Sequence, residues 1–243
     1  MKGHEGTRRT RADLELYADI LSHDILNNNQ AVMSYLELII ATPEVDDKTK
    51  KYALKASSQT RMLALMVEDV KKVASGIIAA PSPKGVELRK IVDQTQKEIR
   101  NLFPDKKVVL RTTIAPSAAS EKADEILGDI LVNVLMNAVQ LDNVESPRIE
   151  VSIELAKAGE ERYWKVVVSD DNMVLPPMFK KDVAGTVDAK NKSTAVRMSG
   201  LAFAKLASET MGGGIRGEEM AKGRSPPGCR FTVSIPRGAV VHD

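Results

Sequence analysis

The sequence predicts an α domain joined to an α/β domain. A helical hairpin over residues 1–80 is expected to pair with a second copy into a dimeric four-helix bundle, and an α/β sandwich is expected over residues 84–243. Three observations lead there. Two apolar series with spacings alternating between four and three run through the first part of the chain, as in heptad seams. The stretch AAPSPKG, Ala79 to Gly85, reads as a linker. Beyond it, strand-like runs and amphipathic helices follow one another without strict alternation, which favours helices packed on one sheet face.

The first apolar series is Leu14, Ala18, Leu21, Ile25, Asn28, Val32, Tyr35 and Ile39. The second is Tyr52, Ala56, Gln59, Leu63, Met66, Val70, Val73 and Ile77. ATPEVDDK between them holds a proline and acidic residues, a helix stop and restart. One hairpin cannot bury such seams well, whereas two hairpins form a four-helix bundle, so a homodimer is expected. Asn28 falls on the seam, where a polar residue can set register. His23 lies roughly 200° around the helix from Leu21 and should face solvent.

In the second part, VELRKIVDQTQKEIRNLF and ADEILGDILVNVLMNAVQL read as helices and KKVVLRTTI as a strand. RIEVSIELA and RYWKVVVSD read as a strand hairpin around AGEE. SGLAFAKLASETMGGG is a helix whose glycines, Gly212 to Gly214, serve as a C-cap and turn, and GCRFTVSIP is a last strand. Tyr163 and Trp164 are expected to anchor the sandwich core.

Composition narrows the function. Charge is nearly balanced at +2, which does not suggest a basic nucleic-acid-binding surface. No run approaches the roughly 18 apolar residues of a membrane span, and the N-terminus lacks the apolar core of a signal peptide. One cysteine, Cys229, fits a reducing cytoplasm and reads as a small buried residue. Of three histidines, His4 and His242 lie near the ends, so a His/Cys metal site is not expected.

The chemistry is concentrated in LSHDILNNNQ, Leu21 to Gln30. Helices do not favour three consecutive asparagines on propensity. An imidazole is a nucleophile near neutral pH. Attack on phosphorus needs one unprotonated ring nitrogen, and the other N–H needs an acceptor, which Asp24 supplies to His23. Asn27 lies one turn on, where it faces His23 and can orient water or phosphate oxygens. Asp129, Asn133 and Asn137 form a stripe at i, i+4 and i+8 on an otherwise apolar helix. Their polar atoms can meet Mg²⁺ and nucleotide phosphates, or simply form a solvated face.

LSHDILNNNQ resembles the H-box of the sensor histidine kinases, and the helix around it resembles those of archaeal, methanogen-type members. ILVNVLMNAVQLDN is similar to their N-box. VVVSDDNMVLPP and MSGLAFAKL stand where they carry two glycine motifs. The resemblance covers nearly the whole chain and implies a histidine-kinase/GHKL-type sandwich. It implies phosphorylation of His23, assisted by Asp24 and Asn27. Asn133 and Asn137 would contact nucleotide phosphates, with Mg²⁺ on Asn137. Asp170 would bind the adenine amino group, and Gly200 is the glycine kept in the second motif. Asn172, Val174, Met198 and Ala202 replace glycines, and a side chain at Val174 is expected to intrude on a ligand. Phe179 to Arg197 would be a lid over ATP.

The expected function is therefore two-component phosphotransfer. His23 would exchange a phosphoryl group with response-regulator receiver aspartates, and an upstream histidine kinase is a further expected partner. No cofactor is needed for that exchange, and the ATP-binding domain is degenerate. One alternative is a soluble autokinase using Mg-ATP. Another is a non-catalytic dimeric scaffold that binds receiver domains. A cytoplasmic location is expected, with no nucleic acid and no membrane span.

Overall fold

The computed structural model describes residues 2–76, 78, 85–142, 144–176, 179, 199–220 and 228–237, with the side chains of 2–19 and 158 undescribed. Of the predicted linker, Ala79 to Gly85, residues 79–84 lie outside the described residues, as do 180–197 of the predicted lid, Phe179 to Arg197, and Met198. The chain divides into two compact units, Met1–Ala80 with Leu102–Asp105, and Pro81–Asn101 with Lys106–Asp243.

The first unit is a hairpin of α1 (Lys2–Ala41) and α2 (Asp47–Ala74). Asp46 caps α2: its Oδ1 accepts from the backbone N–H groups of Lys48 and Thr49, each at 3.0 Å. The Thr49 hydroxyl donates to Oδ2 at 2.6 Å. The Thr49 hydroxyl and backbone bonds hold this carboxyl below its usual range. Lys71 and Lys72 in the last turn of α2 complement its negative end.

The two helices meet along small and polar residues. Ser22, Asn29 and Met33 of α1 are buried, as are Ala53, Ser57 and Met62 of α2. The Ser57 hydroxyl donates to the Met33 sulfur at 3.7 Å. The described part of the predicted seam is not this contact. Leu21, Val32 and Tyr35 are 58%, 48% and 68% exposed, and Tyr52, Leu63, Val70 and Val73 are exposed too. Leu21 precedes buried Ser22 by one residue, which turns it about 100° off the hairpin interior. Each helix thus carries two faces, and the more apolar one is bare. Asn28 lies outside the interior as well, and the polar residue inside is Asn29.

The second unit is a sheet with helices on one face. Its strands are β2 (Val109–Ile114), β4 (Arg148–Ala158), β5 (Glu161–Asp170), β6 (Gly214–Glu219) and β7 (Cys229–Pro236), in the order β2-β4-β5-β7-β6. β2 and β4 are parallel and the other neighbours antiparallel. A short ribbon, β1 (Val86–Glu87) with β3 (Lys122–Ala123), adds a second sheet. The helices are α3 (Leu88–Leu102), α4 (Ile126–Leu141) and α5 (Ser199–Thr210). The ribbon and β6 are not anticipated by pattern. β1 and β3 are two residues long, and GIRGEE is an edge strand of glycines and charges.

Alternation along the strands builds the core. Ile149, Val151, Ile153 and Leu155 of β4 are buried, as are Trp164, Val166 and Val168 of β5 and Phe231, Val233 and Ile235 of β7. Tyr163 is only half-buried, because neighbours on a strand point to opposite faces, so Trp164 alone of the pair is in the core. α4 is buried over most of its surface, lying between the sheet and its neighbouring helices. The turn after α5 is a Schellman cap. Gly213 N–H donates to Ser208 O at 2.8 Å and Gly212 N–H to Glu209 O at 3.0 Å, with Gly212 at φ +82°.

Candidate functional site

The first candidate centre lies on α1. His23 and Asp24 side chains are 74% and 69% exposed, and His23 Nδ1 is 3.3 Å from Asp24 Oδ1. Asn27 Nδ2 lies 3.2 Å from each ring nitrogen of His23. An α-helix brings residues four apart onto one face, and that spacing produces the meeting. The three asparagines have three different partners. Asn27 faces His23, Asn28 Nδ2 donates to Asp24 O at 2.9 Å, and Asn29 Nδ2 donates to Thr60 O at 2.8 Å. Asn29 has no role in the sequence pattern because its partner is 31 residues away.

The second candidate centre lies where α4, β5 and α5 meet. Asn133 and Asn137 are 2% and 0% exposed, which rules out a solvated face. Their Nδ2 groups donate one turn back, to Asp129 O at 3.0 Å and Asn133 O at 2.8 Å. Both Oδ1 atoms are buried without a hydrogen-bond partner. Gly200 of α5 sits directly on them. A Cβ there would stand 2.5 Å from Asn137 Nδ2 and 2.6 Å from Asn133 Oδ1, closer than real Cβ atoms come. Glycine is required here for close approach. The structure therefore brings Asn133, Asn137 and Gly200 together. Asp129 is half-exposed and lines a groove of about 360 Å³ between α3 and α4.

Asp170 ends the inward face of β5 and is 3% exposed. Its Oδ1 accepts from Asn172 N–H at 2.6 Å, and its Oδ2 has no partner. Burial pushes this carboxyl up to about 6, and Asp142 adds to the rise. Asp142, just past the end of α4, was not singled out by motif. It is fully buried, its Oδ1 accepts from Val144 N–H at 2.9 Å, and its Oδ2 too lacks a partner. The available signal was an acid closing the apolar run LVNVLMNAVQLD. Cys229, the register partner of Asp170 on β7, is fully buried, and burial pushes its thiol up to about 12.

The loop after β5 differs from expectation. Asn172 and Val174 have negative φ, since no described non-glycine residue has a positive one. Val174 is 46% exposed while Met173 and Leu175 are buried, so its side chain points outward and does not intrude. A different glycine is needed: Gly228, at φ +70°, where a Cβ would stand 2.9 Å from Asp170 O.

These residues fit a nucleotide unevenly. Asp170 Oδ2, where the resemblance implies a base, is a buried acceptor without a partner. The amides of Asn133 and Asn137, which the resemblance places against Mg²⁺ and phosphates, are buried beneath Gly200. Among the described residues there is no group of three or more His, Cys, Asp or Glu able to hold a metal ion. No described helix is long and apolar enough to cross a membrane.

Known proteins share this architecture. Residues 123–239 match the family described as Histidine kinase-, DNA gyrase B-, and HSP90-like ATPase. Phytochrome-like protein Cph1 of Synechocystis sp. is 19% identical over 234 residues, covering 95% of this chain and 30% of its own length. The chain thus spans less than a third of that curated relative. Full-length ShkA, solved in complex with AMPPNP, superposes with a TM-score of 0.58 at 17% identity, over 94% of this chain and 47% of its own. Acinetobacter baumannii histidine kinase AdeS gives 0.52 at 14% identity, over 88% of this chain and 97% of its own. At such identities the superpositions speak to fold alone. Residues 123–239 thus match a domain of the histidine kinase-, DNA gyrase B- and HSP90-like ATPase type, and the superpositions show that the fold is shared with histidine kinases.

Proposed function

We propose that the chain is a two-component phosphotransfer protein. His23 carries a phosphoryl group and exchanges it with the aspartates of response-regulator receiver domains. Residues 1–80 are the dimerisation and phosphotransfer hairpin, and residues 84–243 are an ATPase-like sandwich whose phosphate end is degenerate. The observation that carries this reading is an imidazole 74% exposed on a helix, with a carboxylate 3.3 Å from Nδ1.

The step follows from that geometry. Nδ1–H donates to Asp24 Oδ1, which leaves the lone pair on Nε2. Nε2 attacks the phosphorus of a receiver aspartyl phosphate. An N–P bond forms as the P–O bond breaks, and the receiver aspartate leaves as a carboxylate. The Nδ1 proton stays on the ring, where Asp24 offsets the positive charge that develops. Asn27 Nδ2, 3.2 Å from Nε2, is placed to donate to a phosphoryl oxygen. Transfer to a second receiver reverses these events.

The bare apolar seam supports a homodimer. Leu21, Val32 and Tyr35 on α1 and Val70 and Val73 on α2 expose a heptad-spaced surface. A second hairpin on that surface completes a four-helix bundle, and His23 stays outside it.

A second reading, ATP-dependent autokinase, is favoured by the family match over residues 123–239 and by the free acceptor on Asp170. The covered amides weigh against it. One experiment separates the two. The purified protein is incubated with γ-labelled Mg-ATP, and separately with a labelled phospho-receiver, with His23→Ala as control. Acid-labile label from the receiver alone is expected. Label from ATP would replace the phosphotransfer reading with the kinase one, and label on His23→Ala from either donor would overturn both.

A further inference from the structure

The groove between α3 and α4 has all its described lining in the sandwich unit. Its volume of about 360 Å³ falls in the range of small-molecule sites. Helix periodicity sorts that lining into a floor and a rim. Ile91 and Thr95 stand one turn apart on α3, and Gly128 and Val132 one turn apart on α4. These four make the floor, where Ile91, Thr95 and Val132 are 6%, 3% and 5% exposed. Gly128 keeps it open, since a Cβ there would stand 3.2 Å from Ile91 Cγ2.

Two features of the groove define the ligand it suits. The first is the rim, which carries Glu98 of α3 and Glu125 and Asp129 of α4. Among the described residues Lys90 is the one basic group in the lining, and its ammonium is held by Glu87 at 3.1 Å. Three carboxylates against one ammonium give the lining a formal charge of −2, in a chain of +2. Glu125 precedes the first turn of α4, and its side chain makes no capping bond. The second feature is Thr95, buried on the floor with no hydrogen-bond partner for its hydroxyl among the described residues. A helical threonine can bond the carbonyl one turn back, as Thr60 and Thr210 do here. A buried hydroxyl without a partner is costly, and a donor entering the groove satisfies it.

We propose that this groove is a binding site for an aliphatic polyamine. The carboxylates do not converge on a point, because among the described residues no three acids could hold a metal ion. They stand on both walls, so a single cationic group cannot meet them all, whereas ammonium groups strung along a methylene chain can. Glu125 and Asp129 are one turn apart, about 6 Å along α4. Two nitrogens on an extended chain of four methylenes are also about 6 Å apart, from bond lengths near 1.5 Å. The methylenes lie on Val86, Ile91 and Val132 and leave water there. One ammonium donates to the Thr95 hydroxyl and to Glu98, three residues on along α3, and the others donate to Asp129 and Glu125. The site involves no phosphoryl group, so it stands whether His23 is phosphorylated from a receiver or from ATP.

The test is calorimetric titration of the full chain with spermidine at about 0.15 M salt, where loose attraction between exposed charges is screened. Butylamine and Mg²⁺ are the companion probes: one has the chain with a single charge, the other has charge without a chain. Both should bind about tenfold or more weakly than spermidine. Amide NMR shifts on adding spermidine should cluster on α3 and the first half of α4. Glu98→Gln and Thr95→Val should each weaken binding about tenfold, and Glu125→Gln, at an exposed position, about threefold. Glu160→Gln, an exposed acid in the turn between β4 and β5, should bind as the wild type does. Thr95→Val matches threonine in shape and Glu125→Gln removes no capping bond, so a folded variant remains if Glu98→Gln does not fold.

Undiminished affinity in Glu98→Gln and Thr95→Val would overturn the site, as would Mg²⁺ binding as tightly as spermidine. So would the absence of binding to the wild type at millimolar spermidine. A helical peptide with two lysines one turn apart, binding more tightly than spermidine, would overturn the small-molecule assignment in favour of a protein partner.

Discussion

Asn29 of α1 reaches across the hairpin and donates from Nδ2 to the Thr60 carbonyl of α2 at 2.8 Å. It is 8% exposed, and it is the asparagine that ties the two helices together. Asn28, one residue earlier, is turned about 100° away and bonds within its own helix. Replacing Asn29 with Ala should cost about 1 kcal/mol, the net value of one such bond. Asn28→Ala should be neutral or stabilise by a few tenths of a kcal/mol, because alanine is the better helix former. Urea unfolding of the two variants reads the difference, and equal effects would remove Asn29 from its role.

Gly200 is a packing glycine. Gly200→Ala places a methyl within 2.6 Å of Asn133 Oδ1 and Asn137 Nδ2, so α5 or the amides must shift. A loss of about 1–3 kcal/mol is expected. Gly214→Ala is the control, because nothing lies within 4 Å of a Cβ there. Thermal unfolding compares them.

Asp24 should act on rate and not on stability. Asp24→Asn keeps the size of the side chain and loses the charge that balances the imidazolium. Phosphotransfer through His23 should slow by about a hundredfold or more. The unfolding midpoint should stay within about 0.5 kcal/mol of wild type, since the side chain is 69% exposed. Rapid-quench transfer from a phospho-receiver measures the first, and urea titration the second.

The bare seam predicts an assembly. Val32→Glu together with Val70→Glu puts charge on the exposed apolar faces of both helices. Sedimentation equilibrium should show a dimer for the wild type and a monomer for the double variant. A wild type that sediments as a monomer at high concentration would count against the four-helix bundle.

Stability should fall as pH rises through the titration of Asp170. Its carboxyl is raised to about 6 in the folded protein from an ordinary 3.8, so folding favours the protonated form. That contribution is complete below about pH 4 and lost as pH climbs past about 6. A shift of this size corresponds to roughly 3 kcal/mol at most. Urea midpoints at pH 4.5 and 7.5 should differ by more in the wild type than in Asp170→Asn, which cannot titrate there.

Much of the architecture was legible. The two helices, the β4–β5 hairpin, α4 and the last strand each carry a repeating apolar period over many residues. Periodicity reports which face is apolar, and that is enough to name an element. The ribbon β1–β3 and edge strand β6 carry no such period, so pattern did not reveal them. At the candidate site, His23, Asp24 and Asn27 were readable because their meeting depends only on helix geometry. Asp142 was not, because its neighbour Asp170 comes from another element and no local spacing relates them. Val174 was misjudged for the same reason: which side of a loop faces the core is decided by what surrounds it.

The division has a physical basis. Local sequence dictates what short-range geometry controls: two heptad seams, the His23–Asp24–Asn27 face, and the inward placement of Asp170 by strand alternation. Contacts between distant segments belong to the folded state. Only there does Asn29 meet Thr60 in place of Asn28, and only there does α5 close over Asn133 and Asn137 through the single gap left by Gly200. Asp142 likewise comes to act on Asp170 only when α4 is laid against β5. Such contacts depend on the sum of packing over the whole core, and no window of sequence contains that sum.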